Sequence, residues 1–213
     1  NNLESYDFKQ GNSKKKGTEV KFLPDYERFG STGFTDNYEK VLMTDLINLS
    51  FTYPEIDFIF NGKHIKVKNF KEYIKLFGQE SIEVIEENNL SVAIMPNPAD
   101  TFEFVHYING LNVYNGGKPL DWVMRNVTSS ISDKIVKKYP NIKIGDIKNK
   151  LFCVAIFQNM VNPRFEDQIK SLCSNTLTEF KPQVGEPDWN EFAGKIIKNK
   201  EIIEPITDVY RLK

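Results

Sequence analysis

Gln168 and Lys170 stand two residues apart in Asn162-Pro163-Arg164-Phe165-Glu166-Asp167-Gln168-Ile169-Lys170-Ser171-Leu172. No other pair in this sequence is better suited to meet an anion. On an extended backbone, residues i and i+2 point the same way. A neutral amide donor and a full positive charge then reach one target, and a phosphate oxygen suits both. The same spacing also describes a polar surface loop with one solvated lysine, and spacing alone leaves both readings open. Other candidates carry less. Gly30-Ser31-Thr32-Gly33 is too short for a phosphate-binding loop and lacks a following Lys-Ser/Thr. His64 and His106 are the only histidines, and neither falls into a Ser/His/Asp or Cys/His order. His64 follows a turn and His106 lies in an apolar strand, so both read as packed or surface residues. Glu83, Glu86 and Glu87 read as an exposed edge rather than a metal site. Cys153 and Cys173 match no zinc spacing. By its own chemistry the chain reads as a binding or coupling element, with no metal site.

The loop follows the most strand-like run of the chain, Leu151-Phe152-Cys153-Val154-Ala155-Ile156-Phe157, and Asn162-Pro163 breaks that strand. Upstream, residues 3–10 and 17–23 read as a hairpin around a polar loop with lysines 14–16. A helix is expected from Asp36 as N-cap to just before Pro54. Asn61-Gly62 predicts a tight hairpin between 56–60 and 64–67. Phe70, Tyr73, Ile74 and Phe77 predict a short helix ending at Gly78. Strands are expected at 81–86, 90–95 and 101–108. Pro119 suits the first turn of a long helix whose stripe is Val123, Val127, Ile131 and Ile135, ending near Tyr139. A short helix near 145–149 precedes strand 151–157. Pro182, Gly185 and Pro187 read as a break. A last helix starts at Asp188, with Pro205 expected to bend or interrupt it. The mixture of hairpins and helices predicts an α+β fold.

Composition sets outer limits. With 213 residues the chain can bury a real core. A net charge of -1 demands neither nucleic acid nor membrane, although local patches can still bind DNA. No apolar run reaches the roughly 20 residues of a membrane span. Two cysteines and no signal-peptide pattern fit a reduced, cytoplasmic setting. The first and last residues read as cut ends of a longer protein.

Several stretches, in order, resemble the ATPase-to-transducer region of type IIA DNA topoisomerases, the family of gyrase and topoisomerase II. Gly17-Thr18-Glu19-Val20-Lys21-Phe22-Leu23-Pro24-Asp25 is similar to the "GT-x-V-x-F-x-PD" strand that ends the ATPase domain. Phe104-Val105-His106-Tyr107-Ile108-Asn109-Gly110-Leu111 with Gly116-Gly117 resembles "SFVN-x-I…GG-T-H". Asn162 to Lys170 resembles "NP-x-F-x-x-QTK", and Lys195-Ile196-Ile197 looks like the connector toward the DNA-cleaving part. Two positions depart from the pattern: Ile169 replaces a threonine, and Lys118-Pro119 replaces Thr-His. The Lys/Asn/Ile-rich character is similar to that of phage-type large subunits of the T-even kind.

The resemblance implies a ribosomal-protein-S5-like transducer domain over residues 30–187. It would be preceded by the last strands of a GHKL-type ATPase domain, 1–29, and followed by a connector helix, 188–213. It implies a part of an ATP-dependent type II topoisomerase that couples ATP hydrolysis to gate movement during duplex passage. Lys170 would contact the γ-phosphate as the catalytic residue with Gln168 assisting, and Thr18 would sit beside the adenine pocket. ATP and Mg2+ would be the cofactors, with the magnesium ligands and the DNA-cleaving groups outside these residues, so the chain alone would be inactive. Double-stranded DNA and other subunits or a second copy would be the partners, in the cytoplasm of a host cell if the protein is a phage's. The alternatives are a stand-alone α+β interaction module, or the transducer of another GHKL ATPase such as a mismatch-repair or chaperone protein.

Overall fold

Most changes in the apolar–polar rhythm of this chain mark an element. The computed structural model describes residues 9, 11–12 and 16–211, with side chains as far as Asp208. The expected strand 3–10 and lysine run 14–16 lie outside the described residues, apart from Lys9 and Lys16. The chain divides into two units, Asn1–Lys40 and Val41–Lys213.

In the first unit, residues 17–23 form no strand, against expectation. A strand is held by its ladder, and no described residue pairs with this one. Its apolar side chains are accordingly bare, with Val20 76% and Phe22 81% exposed. A 3-10 turn, Glu27–Phe29, follows. Pro24, Tyr26, Phe29, Phe34 and Tyr38 line a small apolar hollow, with the Phe34 and Tyr38 rings stacked at 5.8 Å.

The second unit is built on a five-stranded sheet. Helix α1, Asp36–Thr52, leads into it. The Thr35 carbonyl takes the first helical bonds from Tyr38 and Glu39, so the helix begins one residue earlier than an Asp36 cap predicts. Strands β1, Phe58–Phe60, and β2, Lys63–Ile65, form the expected hairpin. Asn61 and Gly62 both have positive φ, at 48° and 76°, the turn that matches strand twist. Helix α2, Phe70–Lys75, is capped by Asn69, whose side chain accepts the Glu72 N–H at 2.9 Å. Then come β3, Glu83–Glu87; β4, Leu90–Pro96; β5, Glu103–Ile108; β6, Leu111–Asn112; α3, Lys118–Ile135; α4, Ile144–Asn149; and β7, Leu151–Phe157. The sheet order is β3-β4-β7-β5-β6, antiparallel except for the β5–β7 pair. β7 is central, which explains its near-continuous apolar run.

Helices cover both faces. On one, Val123, Val127 and Ile131 of α3 pack with Leu90, Cys153 and Phe157 of the sheet. Helices α5, Leu177–Val184, α6, Trp189–Ile196, and α7, Lys200–Arg211, complete that layer with Phe180, Phe192 and Ile202. On the other face, Phe51 of α1 and Phe70, Tyr73 and Ile74 of α2 pack on Ala93, Met95, Val154 and Ile156. Asn48 bridges two buried phenols there. It accepts from the Tyr73 hydroxyl at 2.6 Å and donates to the Tyr107 hydroxyl.

The expected break does occur, at 185–188 between α5 and α6, but Pro182 and Pro205 do not interrupt the helices that hold them, for one reason. Residues 177–184 are helical despite Pro182, and α7 runs through Pro205. The carbonyls those prolines leave without a helical donor belong to Thr178 and Glu201, both exposed to water. The missed signal for α5 is a capping box in which Glu179 accepts the Thr176 N–H at 2.8 Å. The last helix instead breaks at 197–199. There the Asn199 carbonyl starts α7 and its side-chain amide donates to Glu83 at 3.0 Å.

Candidate functional site

The loop after β7 is held at its base before it reaches Gln168. Asn109, in the turn after β5, donates to the Met160 carbonyl and accepts the Met160 N–H, both at 2.8 Å. Gln183 of α5 accepts the Val161 N–H at 2.7 Å. Asn175, 2% exposed, accepts the Arg164 N–H at 2.7 Å and donates to the Asn162 carbonyl at 3.3 Å. The Arg164 guanidinium pairs with Glu179 of α5 at 3.0 Å. Above these ties the two arms of the loop pair with each other. The Ser174 N–H donates to Arg164 at 3.0 Å, and the Glu166 N–H to Leu172 at 3.1 Å. A bridge joins Phe165 and Cys173.

The returning arm lies against the start of α3. A parallel bridge joins Cys173 to Gly117, and the Cys173 N–H donates to Gly116 at 3.0 Å. A Cβ on Gly117 would fall 2.2 Å from the Cys173 carbonyl oxygen, and φ there is +123°. Only glycine fits. Gly117 is also the residue that precedes α3, so the loop and the long helix share one junction.

Gln168 and Lys170 occupy the tip, and both are exposed. They do not lie on an extended strand as their spacing suggested. Residues 168–169 form a turn, and Lys170 is left-handed at φ 60°. Six non-glycine described residues have positive φ; five are asparagines, which tolerate it, and the sixth is Lys170. Asp167 closes this turn. Its carboxylate accepts the Ser171 N–H at 2.8 Å and the Ser171 hydroxyl, and its carbonyl accepts the Lys170 N–H at 3.2 Å. Those Ser171 bonds hold the Asp167 carboxyl below its ordinary pKa. Ser171 in turn accepts from Asn115, backbone to backbone at 2.8 Å and side chain to side chain at 2.9 Å.

Among the described residues, the Gln168 amide and the Lys170 ammonium have no hydrogen-bond or ion-pair partner. Two nitrogen donors, one charged, face solvent from a fixed turn, and that donor set fits phosphoryl oxygens. Ile169 between them is 72% exposed. Thr18 is exposed in the first unit, outside any ladder.

The remaining sequence candidates have structural places. His106 is fully buried in β5, edge-on to Phe157 at 5.5 Å, with neither ring nitrogen hydrogen-bonded. Burial lowers its pKa to about 3. His64 pairs with Asp57 at 2.9 Å in the open. Burial pushes the Cys153 thiol up to about 12, and Cys173 upward as well. Glu83 holds Asn199, and among the described residues no three His, Cys, Asp or Glu gather to hold a metal. No helix of the described residues is long and apolar enough to cross a membrane. Sequence reading missed Asn109, Asn115, Asn175 and Gln183, whose partners lie far along the chain. The Asp167–Ser171 pair, four apart in a polar loop, was the one local signal of this framework.

No protein-family model matches this chain. Curated relatives do. It is 28% identical over 209 residues to the DNA topoisomerase large subunit of enterobacteria phage T4, covering 98% of this chain and 40% of that protein. It is 30% identical over 169 residues to DNA topoisomerase 2 of Trypanosoma cruzi, covering 72% of this chain and 14% of that protein. The chain thus spans less than half the length of either. Among solved structures, the ATPase region of Saccharomyces cerevisiae topoisomerase II superposes with a TM-score of 0.77 at 24% identity, covering 88% of this chain and 49% of that one. The ATPase and transducer domains of topoisomerase II from Balamuthia mandrillaris superpose with a TM-score of 0.73 at 18% identity, over 83% and 45% of the two chains. The α+β fold is that of the ATPase and transducer region.

Proposed function

We propose that this chain, whose homologues are type II DNA topoisomerases, is the transducing part of an ATP-dependent enzyme of that kind. The observation that carries the proposal is Lys170: exposed, unpartnered and left-handed, at the tip of a loop bonded to the start of α3.

Lys170 supplies a full positive charge, and Gln168 a neutral donor, to the γ-phosphate oxygens of ATP held by another part of the protein. The lysine stabilises negative charge where it builds up during phosphoryl transfer. While the γ-phosphate is present the loop tip is anchored; when phosphate leaves, the anchor is lost. The Gly117–Cys173 junction passes that difference to α3 and the sheet rather than absorbing it in a floppy loop. Thr18, in the first unit, is proposed to border the adenine. Residues 1–29 complete the ATPase domain, 30–187 form the transducer and 188–213 lead toward the cleavage core. ATP and Mg2+ serve the whole enzyme. Duplex DNA is the substrate, other subunits or a second copy are the partners, and the cytoplasm is the setting.

The test restores this chain to the longer polypeptide that carries the nucleotide site and measures ATP turnover. Lys170→Ala lowers kcat by on the order of 100-fold, as removal of one charge-stabilising donor does, with a much smaller change in nucleotide affinity. Unchanged turnover would refute the assignment.

A further inference from the structure

We infer that Asp167 is a positioning residue for Lys170, acting with Ser171 and Asn115 to hold the lysine in its left-handed, reaching conformation. The inference rests on the reading of Lys170 as the γ-phosphate contact and goes beyond it to the residues that make the contact possible.

A lysine has no intrinsic preference for φ near 60°, and left-handed backbone is costly for an L-residue. Something around Lys170 must over-determine it. The residues on both sides do so. Asp167 accepts three hydrogen bonds in this turn: the Lys170 N–H, the Ser171 N–H at 2.8 Å and the Ser171 hydroxyl. With Ser171 fixed to the Asp167 carboxylate, the Lys170 ψ and the following peptide have one orientation left. Asn115 secures the other side of Ser171 through two bonds of 2.8 and 2.9 Å. Asn115 belongs to the short turn between β6 and α3, next to Gly116 and Gly117. The tip therefore has a side-chain route to the start of α3, separate from the backbone bridge at Cys173. Without the Asp167 carboxylate, Lys170 can relax to right-handed backbone and its ammonium swings away. A misplacement of about 1 Å at a reacting group can cost 100-fold in rate.

Asp167 touches neither phosphate nor any reacting atom in this account, so its effect must run through Lys170. That makes the proposal testable by a double-mutant cycle in the longer polypeptide with its nucleotide site. Asp167→Ala is expected to lower kcat for ATP at least 10-fold, with KM changed less than about 2-fold. Asp167→Asn should restore most of the rate, because an amide oxygen still accepts the Ser171 N–H while its NH2 meets the Ser171 hydroxyl. In a Lys170→Ala background, Asp167→Ala should add no further loss. Amide exchange at Lys170 and Ser171 should quicken in Asp167→Ala and not in Lys170→Ala. A slow Lys170→Ala beside a wild-type Asp167→Ala overturns the positioning role alone. Losses that multiply in the double variant, or no rescue by asparagine, overturn it too. A wild-type rate in Lys170→Ala instead refutes the underlying reading, and the positioning role falls with it.

Discussion

His106 makes this fold sensitive to mild acid, and the size of the effect follows from its burial. The ring is fully enclosed, both nitrogens lack partners, and burial lowers its pKa to about 3 from an ordinary value near 6.5. In the unfolded chain the same ring takes a proton near pH 6.5. Below that pH the unfolded state binds a proton the folded state refuses, so stability falls as pH drops. The slope is about 1.4 kcal/mol per pH unit between roughly 6.5 and 3, a ceiling near 5 kcal/mol. The carboxyls of Asp167 and Glu179, both depressed by hydrogen bonds, also lose stabilisation in acid, but only below the ordinary carboxyl range near 4. The Asp45 carboxyl, raised by burial, works in the opposite direction, so between pH 6.5 and 5 the histidine is the group that drives stability down. Urea unfolding across that window should show wild type losing about 2 kcal/mol. His106→Leu, which removes the titrating ring from a dry site, should be nearly flat there. It should also be more stable at pH 7, since two orphaned polar atoms leave the core. Parallel pH profiles for the two proteins would refute the reasoning.

Three further outcomes are expected. Gly117→Ala should destabilise by more than about 2 kcal/mol, read by thermal melting, because both φ and the Cys173 carbonyl oppose a Cβ. Asn48→Ala strands the Tyr73 and Tyr107 hydroxyls in the core and should cost roughly 2–5 kcal/mol, with Tyr73→Phe costing less. Lys170→Gly should be about 1 kcal/mol more stable than Lys170→Ala in denaturant melts, because glycine is at ease at φ 60°.

What could be read from sequence was local. β7 announced itself as a seven-residue apolar run because it is buried on both sides, and Asn61-Gly62 named its own turn. The stripe of α3 repeats with the helix period and lies on the core as that period requires. The prolines misled because their effect depends on which carbonyl they orphan and whether water can reach it. That is a property of the packed helix and not of the residue. At the break at 197–199, Asn199 meets Glu83, 116 positions away. At the site, the sequence named Gln168 and Lys170 but assumed an extended backbone. The turn they occupy depends on Asp167, Ser171 and Asn115, and the arm's base on Asn109, Asn175 and Gln183. Single asparagines with distant partners carry no periodicity, so nothing in the order of residues marks them. Of these, only Asn109 carries a further trace, its positive φ of 49°.

The most direct test of the coupling role is a structure of the longer polypeptide bound to a non-hydrolysable ATP analogue. The Lys170 ammonium is expected within about 3 Å of a γ-phosphate oxygen, with Lys170 still left-handed and Cys173 still against Gly117. A nucleotide-bound state in which another residue holds the γ-phosphate and the loop tip remains in solvent would contradict it.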